Sequence, residues 1–205
     1  GSLTLPVGSV DDWETIEGMS VDLQQTLVVT GNFNQGRFGE VELSLDVPLD
    51  IPTNVAAPGG ASAVIADLNV RSRIQLDDGS SIQNPLPLPP YLGSDNTLRL
   101  GDSIPGLGGV LSYAFGAYEI HPVAAVSFAR LNARPDPPDV GGTASVAGFN
   151  LANYFTTLDD SGPICGPAGD QGCRGADNAT EFVRQRDKLV AAIGTLDADI
   201  VGLVE

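Results

Sequence analysis

The chain has 205 residues, 42% apolar and 18% charged, with 25 Gly and 15 Pro. That length allows one or two domains with a sizeable core, and the composition excludes collagen and coiled coils and disfavours an all-helical bundle. Its 26 acidic against 10 basic residues give a net charge of −16. Such a surface repels phosphate polyanions, because nucleic-acid affinity ordinarily comes from Lys and Arg neutralising the backbone. A nucleic-acid partner would therefore need a metal ion or a local cluster of the few arginines.

The chain opens Gly1-Ser2, which reads as a cloning remnant and places the natural N-terminus upstream. Short β-like runs then alternate with turn clusters: Met19–Leu23, Gln25–Gly31, Val41–Leu45, Arg73–Leu76, Thr97–Leu100, Gly109–Phe115 and Tyr118–His121. β-Branched and apolar residues recur in them at strand-like density. Asp77-Asp78-Gly79-Ser80 is a hairpin or turn signal, with calcium binding the less favoured reading. Asn84–Leu92 (NPLPLPPYL) is too proline-rich to sit inside a sheet. Many short strands predict a small barrel or sandwich over residues 1–131. Residues 132–142 (NARPDPPDVGG) read as a Pro/Gly linker.

Beyond the linker the pattern changes. Ser145–Leu151 is an apolar strand. The longest uncharged run, Val140–Leu158, carries Asn150 and Asn153 and is no membrane span. A polar loop holds Cys165 and Cys173, for which a short-loop disulfide and an oxidising compartment are expected. Asn178 is a candidate N-cap with Glu181 closing a capping box. Phe182, Leu189, Ile193 and Leu196 recur at helical spacing and are expected to form a core stripe. The helix should end near Leu196, and Ile200–Val204 is a second apolar strand ending at Glu205. Strand, crossover helix, strand is the opening of an α/β sheet. Two strands and one helix are too few for a stable α/β domain, so residues 143–205 are expected to be the start of a truncated one.

The strand ending Phe149-Asn150 and the segment Asp197-Ala198-Asp199-Ile200-Val201-Gly202-Leu203-Val204-Glu205 resemble the N-terminal quarter of the endonuclease/exonuclease/phosphatase superfamily, the fold of DNase I. Val204 departs mildly from the Gln or Met common in that motif. SVAGFNLANYF, Cys173-Arg174-Gly175-Ala176-Asp177, Glu181-Phe182 and Gln185-Arg186 are similar to the bacterial secreted DNA endonucleases, in which an OB-like β domain precedes the nuclease domain. Asp11-Asp12-Trp13-Glu14, Asn34–Val41 and Gly116-Ala117-Tyr118 support the same likeness in the first half. The resemblance implies an OB-like barrel followed by the first strand–helix–strand of a four-layered α/β nuclease domain.

It also implies a site. Glu205 would be the main metal ligand and Asn150 would lie beside it, together forming the catalytic and metal positions. Oxygen ligands at the C-terminal rim of parallel strands suit Mg²⁺, or else Mn²⁺ or Ca²⁺. Arg174, Arg184 and Arg186 are candidate phosphate contacts. DNA and the remainder of the nuclease domain are the implied partners, and the location is extracellular. The histidine and aspartates of the family's proton-transfer machinery have no counterpart here. His121, the one histidine, lies in the first half and is read as structural. The fragment alone is therefore expected to be inactive.

Two alternatives stand beside this reading. One is a phosphatase or phospholipid phosphodiesterase on the same scaffold. The other is a non-catalytic module that binds nucleic acid, sugar or a wall polymer, with Phe33, Phe38, Tyr91, Tyr113, Phe115 and Tyr118 as stacking platforms. Against the second, residues 1–127 carry only Arg37, Arg71, Arg73 and Arg99 as cations.

Overall fold

A computed structural model describes residues 2–92, 97–136 and 138–204. The chain forms two compact units, Gly1–Arg134 and Pro135–Glu205.

Unit 1 is a β-rich mixed sheet. Its strands are β1 (Ser2–Leu3), β2 (Ser20–Leu23), β3 (Leu27–Gly31), β4 (Val41–Leu45), β5 (Arg73–Leu76), β6 (Ser103–Ile104), β7 (Leu107–Ala114) and β8 (Ala117–Pro122). A 3₁₀ turn spans Val10–Ile16, and the helices are α1 (Gln35–Phe38), α2 (Pro52–Val55) and α3 (Gly60–Arg71). The two-residue alternation decides which side chains enter the core. Val21 and Leu23, Ile74 and Leu76, and Leu107 and Leu111 are buried, while Ser20, Asp22 and Arg73 face out.

The strand order is β1-β2-β7-β8-β5-β4-β3-β6. Five inter-strand steps separate β2 from β3, about 24 Å if the sheet were flat. Only Gln24–Thr26 link the two strands in sequence, and Leu23 to Leu27 can span at most about 15 Å. The sheet must therefore curl back on itself. Trp13, Leu5, Val7, Tyr91, Leu98 and Phe128 come from outside the long strands and join the buried cluster. Trp13 is positioned by a capping box, in which Ser9 and Asp12 bind each other's backbone N–H groups.

The β5–β8 pair is parallel, with Gln75 opposite Glu119 and Leu76 opposite Ile120. The Asp77 N–H donates to the Ile120 carbonyl at 3.2 Å, extending the ladder by one residue. β7 and β8 pair antiparallel, with Gly109 opposite Pro122. A Cβ at Gly109 would collide with the carbonyl of His121, so only glycine lets β7 lie this close to the His121 backbone.

The segment expected as a strand at Thr97–Leu100 is irregular. The Asp102 carboxylate accepts the Arg99 N–H at 2.9 Å, and Gly101 donates to Val29, which turns the backbone out of a ladder. Helix α3, absent from the sequence-based expectation, occupies the connection between β4 and β5.

Unit 2 holds β9 (Val146–Asn150), α4 (Ala179–Leu196) and β10 (Ile200–Val204). The two strands are parallel and in register from Val146–Ile200 to Asn150–Val204. Asn178 caps α4 by accepting the Glu181 N–H at 3.0 Å, worth about 1 kcal/mol. Glu181 does not close the expected box; its carboxylate accepts from Asp177 N–H instead. Asp197 ends the helix in the left-handed conformation. The expected core stripe of α4 is only partly covered. Phe182 stacks on Tyr154 at 5.2 Å, but Leu196 stays 44% exposed and no residue of the helix is buried. Cys165 and Cys173 form a disulfide, and an antiparallel bridge between Cys165 and Gln171 lies within the loop it closes. No helix among the described residues is long and apolar enough to cross a membrane.

Candidate functional site

On the outer face of the β5–β8 pair the pleat turns Gln75 and Asp77 from one strand, and Glu119 and His121 from the other, to the same side. Ile74, Leu76 and Ile120, at the intervening positions, enter the core. His121 Nε2 lies 2.8 Å from Glu119 Oε1 and 3.6 Å from Asp77 Oδ2. With an acceptor oxygen on either side, Nε2 is assigned the proton. Gln75 donates to Glu119 Oε2 at 3.3 Å, and the Gly79 N–H donates to Asp77 Oδ2 at 2.8 Å. Gly79 takes a positive φ of 75° and sits under the imidazole, 3.3 Å from Nδ1 to where its Cβ would be. The Asp77-Asp78-Gly79-Ser80 turn is thus a pair of Asx turns that also shelves His121.

Asp77 and Glu119 are 6% and 4% exposed. Burial pushes the Asp77 carboxyl above the ordinary range, the Gly79 N–H pulls it back, and Asp78 adds to the rise. Burial likewise raises Glu119, against the opposing hydrogen bond from His121. Asp77 Oδ1 is buried with no hydrogen-bond partner. The three residues line a cavity of about 670 Å³ together with Glu40, Phe38 and Ser112, and no Lys or Arg is among its described lining residues. One ligand atom from each of Asp77, Glu119 and His121 lies within 4.8 Å of the others. Such a cluster could hold a metal ion.

A second cavity of unit 1, about 680 Å³, has the opposite sign. Arg99, Arg130 and Arg134 line it, three of the chain's ten cations. Asp102, wholly buried, organises its wall by accepting from Arg99 N–H, Asn132 N–H and Arg130 Nη1. Burial opposes ionisation of Asp102, but these donors together outweigh it and hold the carboxyl below the ordinary range. Arg99 Nε and Gln35 Oε1 are buried there without hydrogen bonds.

Residues 7–132 match the family described as "Domain of unknown function (DUF8508)", more than half of the chain. The chain belongs to that family. No curated protein and no solved structure matches it. The family segment contains the whole Asp77–Glu119–His121 cluster and, but for Arg134, the arginines of the second cavity.

The sequence-predicted site residues lie outside the family segment. Asn150 ends β9, exposed, abreast of Val204. Its carboxamide oxygen accepts the Ala152 N–H at 2.7 Å, and the loop is tied to α4 through Gln185. Glu205 lies outside the described residues. Arg174 is exposed in the loop before α4. Arg184 and Arg186 are exposed on α4, but two residues apart on a helix they do not share a face, and Arg186 pairs with Asp187 at 2.9 Å. The three arginines therefore do not converge as those of the second cavity do.

Sequence reasoning set His121 aside as structural and did not single out Glu119. The signal was present: Gln75-Leu76-Asp77 and Glu119-Ile120-His121 both read polar–apolar–polar at strand spacing. What the sequence did not show was that the two runs are neighbours.

Proposed function

We propose that these residues form the front part of an extracellular, metal-dependent DNA endonuclease, an OB-like β domain followed by the opening of a DNase I-like α/β domain. The observation that carries this reading is the parallel β9–β10 pair with its α4 crossover. It sets Asn150 at the C-terminal rim of the strands, where ligand sites of open α/β sheets form, one position across from the residue before Glu205. The OB-like reading is supported by the curled sheet. If residues 20–31 are counted as one bent strand, β4, β5, β7 and β8 complete the five strands of an OB barrel. The cavity with Arg99, Arg130 and Arg134 supports a phosphate-bearing partner on an otherwise acidic protein. The disulfide is consistent with an extracellular location.

The donors at the rim, a carboxylate and a carboxamide, fit a hard divalent cation such as Mg²⁺. Bound there, the ion would supply charge neutralisation at the scissile phosphate and a more acidic water. Glu205 would hold it, and Asn150 would orient the phosphate once its carboxamide leaves the Ala152 N–H. Arg174, Arg184 and Arg186 would offer peripheral phosphate contacts.

The test is nicking of supercoiled plasmid by the protein encoded by the complete source reading frame. Nicking in Mg²⁺ that is lost with EDTA and with Glu205→Gln is the expected result, with the 205-residue chain alone inactive. Hydrolysis of phospholipid or inositol phosphate but not DNA overturns the substrate assignment. No hydrolysis of any of the three overturns the enzyme reading and leaves a binding module.

A further inference from the structure

Three features of the cavity beside β5 and β8 are unexplained by the nuclease reading, which places its metal at the other unit's strand rim. Two carboxylates and an imidazole converge in a family segment that does not include Asn150 or Glu205. One carboxylate oxygen, Asp77 Oδ1, is buried in a side chain 6% exposed and accepts no hydrogen bond. No positively charged side chain among the described lining residues balances Asp77, Glu119 and Glu40. An orphaned buried carboxylate oxygen is costly, and a cation bound by the Asp77 carboxylate would offset the negative charge gathered in this cavity.

We propose that Asp77, Glu119 and His121 form a binding site for one first-row divalent transition-metal ion. The separations of 2.8 and 3.6 Å between His121 Nε2 and the two carboxylate oxygens bracket the spacing of adjacent ligands around an ion with bonds of about 2.0–2.2 Å. The donor set selects the ion. Imidazole suits Zn²⁺, Cu²⁺, Fe²⁺ and Ni²⁺, whereas Ca²⁺ and Mg²⁺ prefer all-oxygen shells. Ligation through Nε2 requires the other neutral tautomer of His121, with the ring's one N–H on Nδ1, beside Gly79. Gln75 on Glu119 and the Gly79 N–H on Asp77 are outer partners that fix the two carboxylates, as metal-ligating groups require. Water or a substrate oxygen would fill the remaining positions from the cavity.

The test is calorimetric titration of the metal-stripped 205-residue chain with Zn²⁺, Mn²⁺, Mg²⁺ and Ca²⁺, paired with the visible spectrum of the Co²⁺ form. One saturable Zn²⁺ site is expected, at least tenfold tighter than Ca²⁺ or Mg²⁺. His121→Ala and Glu119→Gln should each weaken it by tenfold or more and change the Co²⁺ spectrum, while Asp187→Asn on α4 should leave both unchanged. Trp13 near-UV dichroism checks that each variant is folded, and His121→Gln serves if His121→Ala is not. Absence of saturable binding, equal or tighter Ca²⁺ binding, or a folded His121 variant with unchanged affinity overturns the proposal. Because the readout is binding alone, it is independent of whether the full protein cuts DNA.

Discussion

The two units are stabilised in different ways. In unit 1, Leu23, Leu27, Val29, Val41, Leu43, Leu76, Leu111 and Ile120 have no exposed surface at all. In unit 2, no residue of β9, α4 or β10 is buried, and Val146, Val190 and Ile200 remain 74, 64 and 60% exposed. Unit 1 has enough apolar burial to order its backbone from long range. Unit 2 is held by a capped helix, a disulfide-closed loop and a parallel ladder that joins Val146–Asn150 to the distant Ile200–Val204. Most helical stability in proteins comes from packing of an amphipathic face, and α4 has little of its apolar side covered among the described residues.

The contrast is broken or sharpened most strongly in the core. Leu43→Ala should cost unit 1 about 2–5 kcal/mol by leaving a cavity, read from the urea midpoint of Trp13 fluorescence, since the chain's one tryptophan lies in that unit. Leu189→Ala in α4 should cost less than about 1 kcal/mol, the scale of a residue already in contact with water. Equal losses would mean the two units are packed alike.

Next in size is the disulfide. Opening Cys165–Cys173, which closes a loop eight residues along the chain, should cost the loop about 2–3 kcal/mol. Hydrogen exchange at the Cys165 and Gln171 amides, which bond each other's carbonyls, should accelerate under reductant. The Trp13 transition should not move; if it does, the stability of the two units is coupled.

A third comparison, within unit 1, separates two kinds of buried carboxylate. Asp102→Asn should cost about 2 kcal/mol at neutral pH through weakened charge-assisted hydrogen bonds. Its folded carboxyl titrates below the ordinary range, so its contribution is present above about pH 4 and disappears as pH falls through the lowered value. Wild type and variant should converge in acid. Asp77 and Glu119, both raised, act with the opposite sign: in metal-free protein they favour the fold at low pH and cease to as pH rises through their folded values. Urea midpoints of Asp102→Asn and Glu119→Gln between about pH 3 and 7 should diverge from wild type in opposite directions.

Much of the fold was legible where local pattern and tertiary demand agree. β4, β5 and β10 fall on the runs Val41–Leu45, Arg73–Leu76 and Ile200–Val204, and α4 ends at Leu196 as the Asp197-Ala198-Asp199 stop suggests. α3 was not legible, because GASAVIADLNVR opens on glycine and buries only Ser62, leaving no apolar stripe to read. Thr97–Leu100 alternates like a strand, but a carboxylate two residues beyond it captures the Arg99 N–H. The candidate site was half legible for a similar reason. Glu119 and His121 are two residues apart in one strand, yet Asp77 joins them only through a parallel pairing between distant segments. The arginine cavity was missed because Arg130 and Arg134 follow the last strand of the sheet and return to Arg99.

The parallel seam between β5 and β8 also has a kinetic meaning. Its partners Gln75 and Glu119 are separated by 44 residues, so the seam cannot form until the intervening chain has been placed. Pairings of such sequence separation are among the slow events of folding. A form with β3, β4 and β5 paired but without this closure would present Asp77 without its two companions. The acidic cavity is complete only once this seam has closed, and an ion that requires all three side chains would distinguish closed molecules from open ones.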